Sequence, residues 1–180
     1  RDYMVECVRL ASDLESQLVV YPAGWVIPGT STDEAWQRSC ETLQIAAEEG
    51  RKRGVSLVVE AIRRVSSNLL WSSEQALRMV STISHPNVRL MMDTFHVWSE
   101  GEDPQDVIRK YSEHLLHVHL VDISESGTER RIPGNGVKDI VGVIEHLKEA
   151  GYEGALSVEI WGSDPLKMAK DSYVNLKRFV

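Results

Sequence analysis

The chain has 180 residues, of which 42% are hydrophobic and 26% charged, and its formal net charge is -7. This balance is typical of a globular protein, and the length predicts a single domain covering residues 1–180. The acidic charge and the lack of a basic cluster argue against a nucleic-acid partner. No apolar run approaches the ~18 residues that predict a membrane span, so we expect no membrane partner.

The two cysteines, Cys7 and Cys40, have neither the spacing of a metal site nor that of a disulfide framework. Without a signal peptide pattern, they favour a reducing, cytoplasmic location. The chain opens at Arg1, directly before a helical pattern at residues 2–15. We therefore expect that the natural protein begins earlier.

A strand followed by a helix is the unit that repeats along the rest of the chain. The strand-like apolar runs lie at residues 17–21, 55–60, 87–93, 115–122 and 154–160. The helical patterns lie at residues 32–53, 73–83, from 103, 137–150 and from 164. Their starts carry capping residues such as Ser72 with Gln75, and Asp103 before Pro104.

The strands are apolar throughout rather than alternating, as expected where helices cover both faces of a parallel sheet. The fold class is therefore α/β. A complete (β/α)8 TIM barrel needs roughly 250 residues, more than this chain supplies. We predict the C-terminal five βα units of such a barrel, with the N-terminal units absent.

Side chains able to bind a metal stand at the carboxyl ends of four consecutive predicted strands: Glu60, Asp93, His119 and Glu159. Active sites of parallel α/β folds assemble at that end of the strands. One acid there commonly caps a helix or pairs with an arginine, but four such groups, one βα unit apart, favour a metal site. Three carboxylates and one imidazole suit Mn²⁺ first, then Mg²⁺ or Co²⁺, and Zn²⁺ is compatible.

Further polar residues lie close to this predicted site. His117 and His119 face the same side of one strand, and we assign the metal to His119, with His117 packing beneath it. His96 lies one helical turn after Asp93, where it could support a ligand or contact the substrate. Arg130 precedes a glycine-rich turn, PGNG, at the mouth of the site and is a candidate contact for a substrate oxygen.

The motifs LVVEAI, MMDTFHVW, HVHLVDI, ERRIPGNG and LSVEIWG resemble those of the xylose isomerase-like TIM barrel superfamily. Within it, the sugar phosphate isomerase/epimerase group and its ketose 3-epimerases are the most similar. The resemblance implies one divalent ion held by Glu60, Asp93, His119 and Glu159, with the two glutamates as the catalytic acid/base pair. It implies substrate contacts by His96 and Arg130 and a supporting role for Asp122.

One departure from the family pattern and one excluded function follow from these motifs. Ketose 3-epimerases usually carry a second, substrate-contacting glutamate at the position of Ser66, so free-ketose epimerisation is less strongly implied. The superfamily also contains apurinic endonucleases with three zinc ions. Their Asp-x-His pair corresponds to Glu129, Arg130 and Arg131 here, which argues against DNA repair.

The expected function is a metal-dependent sugar isomerase or epimerase that moves a proton next to a carbonyl through a metal-stabilised enediolate. The expected partners are a sugar or keto-polyol and, by resemblance, a second copy in a homodimer. Two alternatives stay open: a metal-dependent dehydratase of a keto-polyol on the same scaffold, and a non-catalytic sugar-binding barrel fragment.

Overall fold

The computed structural model describes residues 2–179 and contains alternating strands and helices. The strands are β1 Leu18–Pro22, β2 Ser56–Glu60, β3 Val88–Asp93, β4 Leu115–His119, β5 Asp122–Ile123, β6 Arg130–Arg131 and β7 Leu156–Ser157. The α-helices are α1 Asp2–Asp13, α2 Thr32–Arg53, α3 Ser73–Ile83, α4 Thr94–Ser99, α5 Pro104–Tyr111, α6 Ile140–Glu149 and α7 Pro165–Leu176. A 3₁₀ turn at Ser112–His114 precedes β4.

Five strands form one sheet in the order β1-β2-β3-β4-β7, and β5 and β6 form a separate two-stranded hairpin. Helices connect the parallel strands, as the crossover connections of a parallel sheet require. The architecture is that of a partial (β/α) barrel, which confirms the predicted fold class. By internal contacts the chain divides into two compact units, Arg1–Met91 and Met92–Val180.

In the first unit, β1 and β2 pair in parallel from Leu18 opposite Ser56 to Pro22 opposite Glu60. Helix α2 begins at the N-cap Ser31, which accepts a hydrogen bond from the Glu34 amide. Near its other end, a Cβ at Gly50 would collide with the Val55 carbonyl, so glycine is needed where the helix returns to the sheet. The close contact between Gly50 and the Val55 carbonyl fixes where β2 starts, and hence where Glu60 lies at its end.

In the second unit, β4 pairs in parallel with β7, with His119 opposite Ser157. The prediction of a strand over residues 154–160 was too long, because β7 ends at Ser157. Since β4 itself ends at His119, no β4 backbone remains opposite the residues after Ser157. Glu159 therefore lies two residues beyond its strand rather than at the strand end.

The segment after β4 also differs from the prediction of one strand over residues 115–122. Residues Leu120 and Val121 lie between β4 and the short strand β5, and the Val121 amide donates to the Thr94 hydroxyl at 3.0 Å. The Thr94 hydroxyl, rather than a backbone carbonyl of a neighbouring strand, thus accepts the hydrogen bond from the Val121 amide. Helix α6 starts at Ile140, three residues later than predicted, because Asp139 is its N-cap.

The Asp122 carboxylate organises the loop that follows the β5–β6 hairpin. Its Oδ1 accepts hydrogen bonds from the Ile123 and Lys138 amides at 2.8 and 3.0 Å. Its Oδ2 accepts from the Gly134 and Gly136 amides at 3.2 and 2.9 Å. The side chain is fully buried, so backbone amides compensate its removal from water. We call this arrangement the Asp122 turn.

Glycine is required at position 136 of the Asp122 turn. A Cβ there would collide with the Asp122 carboxylate and with the Ile123 carbonyl, both of which approach the backbone closely. Gly134, with φ of +84°, adopts the left-handed conformation that side chains disfavour. The pattern PGNG is therefore a consequence of wrapping backbone amides around one carboxylate.

None of the helices within residues 2–179 has the length and apolar character needed to cross a membrane. The predicted cytoplasmic location stays a prediction.

We expect the Glu49→Gln substitution to lower stability in a pH-dependent way. Hydrogen bonds from Arg53 and Arg9 lower the pKa of the Glu49 carboxyl from 4.5 to about 2. A carboxyl whose pKa is lower in the folded state stabilises the fold above the unfolded value, and this contribution disappears as pH falls towards the folded value. The melting temperature should therefore drop at pH 7, and the difference from wild type should shrink between pH 4.5 and pH 2.

The exposed Glu125 provides the matched control for that measurement. Glu125→Gln removes the same charge, and we expect its melting curve to stay close to wild type throughout the pH range. A Glu49→Gln deficit that is equally large at pH 2.5 and pH 7 would contradict the ion-pair explanation.

Asp122→Asn should destabilise the protein by about 3 kcal/mol, because the amide group of asparagine would point its own donors at backbone N–H groups. The measurement is urea unfolding beside Asp33→Asn, an exposed control on the first turn of α2. Unfolding midpoints that coincide for Asp122→Asn and Asp33→Asn would count against the Asp122 turn as a stabilising element.

Candidate metal centre

Asp93 is the last residue of β3 and also the N-cap of the short helix α4. Its Oδ1 accepts a hydrogen bond from the Phe95 amide at 2.8 Å. Its Oδ2 lies 2.8 Å from Arg130 Nη2 and 3.5 Å from His119 Nδ1. One oxygen of the carboxylate thus caps the helix, while the other faces Arg130 and the candidate ligand His119.

The Asp93 side chain is completely buried, yet it is held in its ionised form. Burial by itself raises the pKa of the carboxyl, but the His119 hydrogen bond and the Arg130 charge and hydrogen bond outweigh it and hold the pKa below its usual range. Asp93 is therefore a carboxylate at any pH near neutrality. A permanently ionised, buried oxygen donor is what a hard divalent cation requires.

His119 and Glu159 face the same point as Asp93 Oδ2. His119 Nδ1 lies 3.3 Å from Glu159 Oε2, and each of the three residues offers a ligand atom within 4.8 Å of those of the others. His119 is supplied by the end of β4, and Glu159 by the irregular segment after β7. The donor set of two carboxylates and one imidazole fits a divalent ion of the Mn²⁺, Mg²⁺ or Co²⁺ type.

Glu60, the fourth predicted ligand, is the last residue of β2 in the first unit, and its side chain is buried. A glutamate at the end of an otherwise apolar, buried strand is costly unless it is paired or bound. Its assignment as a ligand remains a proposal.

His117 lies beneath His119 on the same strand, with the two ring centroids 5.1 Å apart in an edge-on arrangement. Burial lowers the pKa of His117, and the neighbouring charge of His119 lowers it further. His117 is therefore a neutral imidazole at neutral pH. Within residues 2–179, its buried Nδ1 has no hydrogen-bond partner, and its ring packs against the candidate ligand.

Arg130 occupies the centre of this group rather than its rim. Its Nη2 lies 2.8 Å from Asp93 Oδ2 and 3.1 Å from Glu159 Oε2, and its side chain is only 6% exposed. The guanidinium carbon stacks 4.5 Å from the Phe95 ring centroid and 5.1 Å from that of Trp161. The position of Arg130 in the hairpin, opposite Ile123 of β5, fixes where its side chain enters the site.

The His96 ring borders the same cluster. Its Nε2 lies 3.4 Å from Arg130 Nη2 and 4.0 Å from Asp93 Oδ2. Helix α4 carries His96 one turn after Asp93, so both side chains emerge on the same face. His96 is thus placed next to the candidate ligands.

The sequence reasoning missed two residues that shape the site. Thr94 is fully buried, and its hydroxyl donates to the Val121 carbonyl at 2.8 Å, which holds the end of β4 beside the start of α4. Phe95 stacks on Arg130 and packs in a small core with Val121 and Ile123. The position of Thr94 directly after a strand-end aspartate could have indicated its role. No local sequence pattern marks Phe95.

Comparison with known proteins places these features in a family. The xylose isomerase-like TIM barrel family model matches residues 1–178. The L-ribulose 3-epimerase of Mesorhizobium japonicum is 33% identical over 165 residues, which cover 88% of this chain and 53% of that protein. The inosose dehydratase of Lacticaseibacillus casei is 25% identical over 154 residues, 76% of this chain and 50% of that protein.

A crystal structure of a 3-keto-D-glucoside 4-epimerase from E. coli superposes with a TM-score of 0.85 at 20% identity, covering 97% of this chain and 69% of that one. At this identity the likeness concerns the fold alone. The chain spans about half the length of the curated relatives it matches. Because the family model covers nearly the whole sequence, the chain belongs to the xylose isomerase-like TIM barrel family.

Proposed function

We propose that this chain carries the metal-binding residues of a sugar isomerase or epimerase that moves a proton next to a carbonyl group. The observation that carries the proposal is the convergence of Asp93, His119 and Glu159 within 4.8 Å. The ligand chemistry supports a divalent ion, with Mn²⁺ expected first and Mg²⁺, Co²⁺ or Zn²⁺ as alternatives. Similarity to an L-ribulose 3-epimerase supports a small sugar as substrate.

In the proposed site, Glu60, Asp93, His119 and Glu159 hold the ion. When bound, the ion supplies a Lewis acid that polarises the substrate carbonyl and stabilises the negative charge developing on its oxygens. His117 packs behind His119 and fixes its ring, and the Asp122 turn holds the segment that follows Arg130. His117 and Asp122 thus support the site without touching substrate.

Glu60 and Glu159 are the proposed acid/base pair. One carboxylate removes the proton from the carbon next to the carbonyl, and the other returns a proton to the opposite face or to the neighbouring carbon. The first outcome is epimerisation and the second is isomerisation. The Glu159 side chain is 38% exposed, which leaves it accessible to a substrate.

His96 and Arg130 are the proposed substrate contacts. The Arg130 Nη1 group is buried and has no hydrogen-bond partner within the described part of the chain. An unpaired buried donor beside a candidate metal site is suited to a substrate hydroxyl or carbonyl oxygen. His96, placed beside Arg130, can share the same substrate oxygen or a neighbouring one.

Dehydration of a keto-polyol is the second candidate, favoured by the similarity to an inosose dehydratase. The first steps are shared, since proton removal next to a carbonyl also precedes the loss of a hydroxyl group. Mass analysis of the product separates the two reactions: an isomer keeps the mass of the substrate, whereas a dehydration product is lighter by one water.

The cytoplasmic location and the homodimer remain predictions.

We expect elemental mass spectrometry to find about one equivalent of a divalent metal in the purified protein. An Asp93→Asn, His119→Ala double variant should lose it, because an amide and a methyl group replace two of the ligands. A wild type that stays metal-free after soaking with Mn²⁺ would remove the basis of the proposed function.

Glu60→Gln and Glu159→Gln should each lower turnover by about 10³-fold, because a carboxamide cannot accept the proton. The measurement is the incorporation of solvent deuterium into ketoses, followed by NMR. Glu153→Gln, at an exposed position before β7, is the control and should exchange at the wild-type rate. Near-normal exchange by either glutamine variant would exclude that glutamate as a base.

A further inference from the structure

The position of Arg130 raises a question about metal binding. Its Nη2 contacts Asp93 Oδ2 at 2.8 Å and Glu159 Oε2 at 3.1 Å. His119 Nδ1 faces these same two oxygens at 3.5 and 3.3 Å. Arg130 therefore neutralises the same two carboxylate oxygens, Asp93 Oδ2 and Glu159 Oε2, that face the candidate ligand His119.

The guanidinium is held there by more than its ion pairs. Its carbon also lies 4.5 Å from the Phe95 ring centroid and 5.1 Å from that of Trp161, and such cation–π contacts strengthen when the cation is removed from water. The Arg130 side chain is 6% exposed. Arginine, which is weakly hydrated and permanently charged, is well suited to such a buried position.

We propose that Arg130 is a counter-charge that competes with the divalent ion for the Asp93 and Glu159 oxygens and thereby sets the metal affinity of the site. This inference rests on the proposed metal centre. Two cations cannot make full use of the same carboxylate oxygens, and a positive charge a few ångströms from a divalent ion repels it. Arg130 therefore weakens ion binding, and it neutralises the carboxylates when the ion leaves.

The consequence is an exchangeable ion rather than one on which folding depends. The buried carboxylate of Asp93 would destabilise the chain strongly if no cation were nearby. With Arg130 present, Asp93 keeps a partner whether or not the ion is bound, and the fold tolerates loss of the ion. Without Arg130, the metal ion would have to neutralise the Asp93 carboxylate.

Titration calorimetry with Mn²⁺ on the metal-stripped protein tests the proposal. Arg130→Met keeps an unbranched apolar stem but removes the charge, and it should bind Mn²⁺ at least about tenfold more tightly than wild type. Arg131→Met is the matched control. Arg131 is adjacent, has a side chain 48% exposed and pairs with Glu129, so its loss should change the affinity by less than about twofold.

Thermal unfolding gives a readout that does not depend on activity. Metal-stripped Arg130→Met should melt below wild type, and Mn²⁺ should raise its melting temperature by more than that of wild type, as expected for a more tightly bound ligand. If Arg130→Met does not fold without metal, Arg130→Gln replaces it. Glutamine removes the charge but can still donate a hydrogen bond to the Asp93 carboxylate, and about threefold tighter binding is expected.

The outcomes separate this inference from the proposed function. Equal or weaker Mn²⁺ binding by Arg130→Met, or by Arg130→Gln where the first variant does not fold, would overturn the competition while leaving the metal centre intact. Absence of Mn²⁺ binding by wild type and variants alike would overturn both. Tighter binding with a lower metal-free melting temperature would establish Arg130 as the competing charge.

Discussion

The carboxylate of Asp93 lies buried at the end of a strand, and a charge in that position is stable only where donors and positive groups surround it. The surrounding structure meets this requirement on both oxygens. The Phe95 amide satisfies one oxygen and thereby starts helix α4, while Arg130 and His119 face the other. The position of α4, and with it that of His96, follows from how this one charge is accommodated.

Asp122 is equally buried but has a different set of partners. Backbone amides from the loop around it take up both of its oxygens, so it has little capacity left for a metal or a substrate. Asp93 is satisfied mainly by side chains, which can move or exchange partners. Two buried aspartates in one unit thus differ in role because one is bound by backbone and the other by ionisable side chains.

These two aspartates are connected through the β5–β6 hairpin. Asp122 begins the hairpin, and Arg130 on the opposite strand returns to Asp93. The Asp122 turn therefore positions the arginine whose charge balances Asp93. This link explains why a glycine-rich loop and a basic residue adjoin in ERRIPGNG: the glycines admit the close approach to Asp122, and the arginine serves the site.

Much of the fold could be predicted because its signals are local. Apolar strand runs and capping residues such as Ser72 and Asp103 located most helices and strands. The prediction failed where long-range pairing decides. Strand β7 stops at Ser157 because its neighbour β4 stops at His119, and β4 stops where the Thr94 hydroxyl replaces a strand partner. Neither limit is encoded in the apolar run itself.

The candidate site, like the fold, could be predicted from the sequence only in part. The sequence by itself determined the residue types and their order, with carboxylates and an imidazole delivered near strand ends one βα unit apart, because strand and helix periodicities are local properties. Only the tertiary structure decided that Arg130 lies between Asp93 and Glu159, stacked on Phe95 and Trp161. These partners are separated by tens of residues, and only the packing of a hairpin against the strand ends brings their charges and rings together.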